Sequence, residues 1–135
     1  MIPAAAILGM ALVLPANAAP SSGSWSDTAA GGSTRTGKQI VRGRALSSPS
    51  AIPASAKVTR VSWRITLLAP PPPGLEIKLC RHDRCLRLPS LAGQRSITFP
   101  LSATGEFRFI YTVNKRGPLR PALNVVNQQL IVNYR

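Results

Sequence analysis

From Lys57 onward apolar side chains recur at every second residue, and this period restricts the fold more than any other feature of the chain. In Lys57 to Leu68 (KVTRVSWRITLL), Val61, Trp63, Ile65 and Leu67 fall on one side, with Arg60, Ser62, Arg64 and Thr66 on the other. Side chains of a β-strand alternate between its two faces, so the segment reads as a half-buried antiparallel strand. Outside an N-terminal apolar run, no window sustains a 3.6-residue period, and helices are not expected in the core.

The next segments repeat the pattern. Leu75, Ile77 and Leu79 alternate with Glu76, Lys78 and Cys80, and Cys85 to Leu88 alternate in turn. Pairing Cys80 with Cys85 leaves Arg81-His82-Asp83-Arg84 as a hairpin loop of common length. That register sets Leu79 opposite Leu86 and Ile77 opposite Leu88, apolar against apolar. It also sets Lys78 opposite Arg87, a like-charge pair with a small cost. Further strands are expected at Ile97, Phe99 and Leu101, at Phe107 to Val113, and in two closing segments, Leu123 with Val125 and Leu130 with Val132 and Tyr134. A short irregular strand is expected within Gln39 to Leu46, and Ser47 to Ala56 reads as loop. Pro70 to Pro73 cannot join a ladder, because proline donates no backbone hydrogen bond. The fold class is all-β: a small antiparallel β-sandwich, or a small barrel, of about seven short strands with one hairpin disulfide.

At 135 residues the chain has room for one domain. Ala4 to Leu14 is uncharged and apolar, and is followed by Pro15 and Ala16-Asn17-Ala18, the pattern of a cleavable signal peptide over residues 1–18. A run of about eleven residues is too short for a membrane-spanning helix, which needs about 20. Residues 19–37, rich in Ser, Gly and Thr, read as a flexible leader in which Trp25 alone seeks a docking place. The sandwich is expected over 38–135. Export to an oxidising space favours a disulfide between the only two cysteines.

Little in the sequence can run a reaction. His82 is the single histidine, and the four acids, Asp27, Glu76, Asp83 and Glu106, are scattered. There is no Ser-His-Asp arrangement, paired carboxylate or phosphate loop, so no catalytic residue is assigned and an enzyme is not expected. Cys80, His82, Asp83 and Cys85 are zinc-ligand types, but their spacing is wrong for a zinc motif and Arg81 and Arg84 would repel a cation. No metal or cofactor is expected. The 17 Lys and Arg give a net charge of +13, which attracts anionic partners without choosing among them. Nucleic acid is not expected, because the aromatics lie on the apolar strand faces rather than among the basic residues. Arg60 and Arg64 on one strand, with Lys78 and Arg87 on the hairpin, are the candidates for one basic partner-binding patch.

Several stretches resemble the flagellar protein FlhE family: G-L-E-I-K-L-C at 74–80, R-C-L-R-L at 84–88, F-R-F-I-Y at 107–111, and R-P-A-L-N-V-V-N-Q-Q-L-I-V-N-Y-R at 120–135. Val-Ser-Trp-Arg at 61–64 and Gly-Ser-Trp at 23–25 fit its N-terminal half more weakly. The resemblance implies a non-enzymatic periplasmic accessory of flagellar type III export. Such a protein limits proton leak through the export apparatus as a plug or chaperone-like partner, and its loss alters motility and swarming. It also implies export or rod components on the periplasmic side as partners. The tetraproline and the high charge depart from the family pattern. Charge alone supports a different reading: a basic envelope protein binding an anionic polymer or lipid surface.

Overall fold

A computed structural model describes residues 22–135, so the expected signal peptide at 1–18 lies outside the described residues. Ten strands follow one another: β1 (Gly23–Ala29), β2 (Gly32–Thr36), β3 (Val41–Arg42), β4 (Leu46–Ser47), β5 (Val58–Leu67), β6 (Leu75–Arg81), β7 (Arg84–Leu88), β8 (Ala92–Ser96), β9 (Glu106–Val113) and β10 (Pro118–Tyr134). One sheet runs β1-β10-β5-β8, with β2 also on β10. The other runs β3-β9-β6-β7, with β4 also on β9, and all pairs are antiparallel.

The alternation read from the sequence decides what each sheet turns inward. Val61, Trp63 and Ile65 from β5 meet Ile77 and Leu79 from β6 and Phe107, Phe109, Tyr111 and Val113 from β9 in one core. Full burial of such a side chain contributes about 1.5–3 kcal/mol, so one strand with three or four inward positions is a substantial stabilising unit. The hairpin register is the expected one, with Leu79 on Leu86, Ile77 on Leu88 and the Cys80–Cys85 bond formed. Its loop is shorter than expected. Arg81 pairs with Arg84, leaving only His82 and Asp83 to turn the chain, and His82 takes φ 53° to do so.

Four expectations need correction. Residues 23–36 are not a flexible leader: β1 and β2 pair with β10 along most of its length, so the folded domain begins well before residue 38. Trp25 anchors β1, its indole N–H donating to the Ala103 carbonyl (2.8 Å) and its ring meeting Phe107 edge-on at 5.5 Å. Residues 97–101 form no strand. Ile97 and Leu101 are buried from an irregular connection, and Pro100 has no N–H to give to a ladder. The expected two closing strands are one strand of 17 residues. Its inward positions are Leu119, Leu123 and Val125 before a register shift between Val125 and Asn127, and Gln128, Leu130 and Val132 after it. A β-bulge inserts one residue and so switches parity without turning the chain. The strand count is therefore ten rather than about seven.

Candidate interaction surface

Basic residues alternate with core residues, so the sheet that holds each strand fixes the direction of each charge. Arg60 and Arg64 of β5 are exposed on the outer face of the first sheet. Lys78 of β6 and Arg87 of β7 are exposed on the outer face of the second. These faces point away from each other on opposite sides of the core, so the four do not form one patch. The reason lies in Pro70 to Pro73: the strands on either side of this connection are consecutive in sequence but belong to different sheets.

Lys78 and Arg87 have other company. Strand register aligns Arg42, Ile110, Lys78 and Arg87 across β3, β9, β6 and β7, one row over four strands. Neighbouring strands lie about 4.8 Å apart, so Lys78 stands one strand from Arg87 and two from Arg42, each within about the range of salt screening. Arg108, opposite Cys80, extends the row and donates to the Gly43 carbonyl at 2.7 Å. The like-charge contact of Lys78 with Arg87 is relieved from the side: Glu76 Oε1 accepts from Arg87 Nη2 at 2.7 Å, the one ion pair among the described residues. The Arg87 side chain is 70% exposed, so this pair adds little stability. Arg108 was legible as an outward position in F-R-F-I-Y. Its joining Arg42 and Lys78 depends on long-range register that no local pattern carries.

Inside the sandwich, polar chemistry is structural. Gln128 is fully buried between the sheets; its Oε1 accepts from the Tyr111 hydroxyl (2.7 Å) and its Nε2 donates to the Arg44 carbonyl (2.8 Å). A Cβ on Gly43 would sit 2.3 Å from Gln128 Oε1, so only glycine lets the backbone come this close. Burial pushes the Tyr111 phenol well above its ordinary range, which keeps it a neutral donor. An amide and a neutral phenol offer neither nucleophile nor base. His82 is exposed at the hairpin tip and both cysteines are bonded to each other. No group of three His, Cys, Asp or Glu that could hold a metal occurs among the described residues.

Comparison with known proteins agrees with the fold. The family described as "Flagellar protein FlhE" matches residues 33–135. The flagellar protein FlhE of Yersinia enterocolitica is 36% identical over 125 residues, covering 91% of this chain and 88% of the relative. That of Escherichia coli K12 is 40% identical over 83 residues, covering 62% of this chain and 64% of the relative. A crystal structure of FlhE superposes with a TM-score of 0.77 at 34% identity, covering 84% of this chain and 97% of that one. Family match, sequence identity and superposition point the same way, and the chain belongs to the flagellar protein FlhE family, a family of flagellar accessory proteins.

Proposed function

We propose that the protein is a non-enzymatic periplasmic accessory of flagellar type III export that limits proton leak through the export apparatus. The observation that carries this reading is the family match over residues 33–135. The Cys80–Cys85 bond supports an envelope location, since such bonds persist in oxidising compartments. Cleavage after Ala18 releases the chain there, and rod or export components that face the periplasm are its partners. The sandwich acts by binding rather than by reaction: its buried polar groups are mutually satisfied and its charges lie outside. The deciding experiment measures cytoplasmic pH in flagellated cells lacking the gene, beside cells that also lack the export gate. A pH defect that disappears with the gate supports the role. Unchanged pH and motility refute it.

A second reading has its own observation. The row of Arg42, Lys78 and Arg87, with Arg108 beside it, is a basic strip suited to an anionic polymer or lipid headgroups. Retention on anionic vesicles that is lost with moderate salt supports this reading.

A further inference from the structure

A sandwich has four lateral edges, and in this one the edge at β1 is covered, the edge at β3 and β4 is broken into short pieces, and the β7 edge has one outward carbonyl capped. Beyond β1 lies β4, joined to it where the Ser47 N–H donates to Asp27 Oδ2 (3.0 Å) and continued where the Arg44 N–H donates to the Ala30 carbonyl (3.1 Å). Opposite β9, β3 and β4 are two-residue pieces interrupted at Gly43 to Ala45, too short to template a partner. At β7 the Arg95 guanidinium donates to the Arg87 carbonyl at 3.2 Å. The Cys80–Cys85 pair has its Cα atoms 4.0 Å apart, the narrow spacing of a pair that shares no backbone hydrogen bonds. Arg87, two residues on, therefore directs its carbonyl outward, and Arg95 occupies it.

The fourth edge, β8, is open. All five of its residues are exposed, and it contains no proline. Its hydrogen-bond phase follows from two bonds to β5 at its ends: Ile65 N–H to the Leu91 carbonyl and Ile97 N–H to the Thr59 carbonyl. Hydrogen-bonded pairs alternate along an antiparallel ladder, so residues 91, 93, 95 and 97 face β5 and Ala92, Gln94 and Ser96 direct their backbone groups away from it. Of these outward groups, the Ala92 carbonyl takes the Ser90 hydroxyl (2.7 Å). The side chains beside this edge have a definite character. Arg64 lies opposite Ala92 and Arg60 opposite Ser96, each arginine next to a small residue over which it can reach. A groove of ≈ 380 Å³ runs along the same outer face between Ser62, Ala92, Gln94, Gln129 and Ile131.

We infer that β8 is a docking edge that accepts an extended segment of a partner protein as an added strand, with acidic side chains four residues apart meeting Arg60 and Arg64. The backbone of Ala92, Gln94 and Ser96 supplies the ladder, and the two arginines supply the preference for acids. A second copy of this chain fits poorly. Pairing β8 with β8 places two sets of Arg60 and Arg64 on one face, between molecules that each carry +13. This mode of contact rests on the reading that the protein acts by binding a partner. A failed peptide test leaves that reading standing, whereas an unchanged cytoplasmic pH in the deletion strain removes it.

The test adds to the full chain an acetylated nine-residue peptide of alternating Thr and Val with Glu at its third and seventh positions, and follows amide exchange by NMR. The amides of Ala92, Gln94 and Ser96 should slow by roughly tenfold at saturating peptide and low salt. The same peptide with Lys in place of Glu should leave them unchanged. Gln94→Pro deletes one outward N–H while leaving the β5 ladder intact, and should abolish protection; Gln94→Ala, which keeps that N–H, should retain it. Equal protection by the Lys peptide, protection elsewhere than β8, indifference to Gln94→Pro, or dimerisation through β8 without peptide would each overturn the inference.

Discussion

Tyr111 of one sheet donates its hydroxyl to Gln128 of the other at 2.7 Å, a single buried hydrogen bond that crosses the core and ties the two layers in register. Gln128 in turn donates to Arg44, so removing either partner strands a polar atom in an apolar interior. Tyr111→Phe should cost about 1–3 kcal/mol, the penalty of leaving Gln128 Oε1 unpaired. Urea unfolding of Tyr111→Phe, Gln128→Leu and the double variant should show coupling, with the double variant less unstable than the sum of the singles.

The same phenol sets a pH dependence. Burial raises the folded-state pKa of Tyr111, while the unfolded chain releases that proton near the ordinary value of about 10. This contribution to stability is therefore complete below that pH and is lost as pH rises above it. In urea melts between about pH 9 and 11, the stability gap between the wild-type chain and Tyr111→Phe should narrow steadily. A constant gap would mean that the phenol ionises equally in both states.

Trp25 measures whether β1 belongs to the fold. It is 5% exposed, edge-on to Phe107 and bonded to Ala103. Trp25→Ala should cost about 3–5 kcal/mol, as for large aromatics removed from cores. Trp25→Phe should cost less, about 1 kcal/mol, since it loses the hydrogen bond and keeps most of the apolar contact. A flexible leader would give no change in the melting midpoint for either variant.

The disulfide should act as a staple on a hairpin that already knows its register. Replacing Cys80 and Cys85 together with Ala should lower stability by about 2 kcal/mol, because the closed loop is short. Leu79 on Leu86 and Ile77 on Leu88 should still hold β6 and β7 in the same alignment. Cross-strand NOEs between these residues in the double variant check the register, and the urea midpoint checks the cost.

How much of this could be read in advance depended on whether local pattern and long-range pairing agree. In β5, β6, β7 and β9 they do: each has inward apolar residues at every second position, so strand and face were both legible. β1 was not, because its inward positions are Trp25, Asp27 and Ala29, only one of them a large hydrophobe. Asp27 is tolerated there because it lies at the sheet edge and accepts the Thr28 and Ser47 N–H groups. β8 has no buried residue and so carries no hydrophobic signal at all; it is a strand because β5 pairs with it. The opposite error arose at Ile97, Phe99 and Leu101, where the alternation comes from a connection packed on the core. In β10 both parities were visible and read as two strands; the change of parity is instead a register shift within one strand, with neither Gly nor Pro between Val126 and Gln129 to turn the chain.

The division of charge between the two outer faces yields the most discriminating prediction. Arg60 and Arg64 flank the open β8 edge, whereas Arg42 and Lys78 stand in the row across the second sheet. All four are exposed, so charge reversal at each should leave the fold intact. The double variants Arg60→Glu with Arg64→Glu, and Arg42→Glu with Lys78→Glu, lower the net charge equally. Any difference between them therefore reports position and not total charge. The first pair should fail to restore cytoplasmic pH in flagellated cells lacking the gene, because it repels an acidic strand at β8, yet retain binding to phosphatidylglycerol vesicles. The second pair should restore pH and lose most vesicle binding at low salt, with both effects fading as salt rises. Equal behaviour of the two pairs in both assays would show that only overall charge matters, and neither face would then be a specific interaction surface.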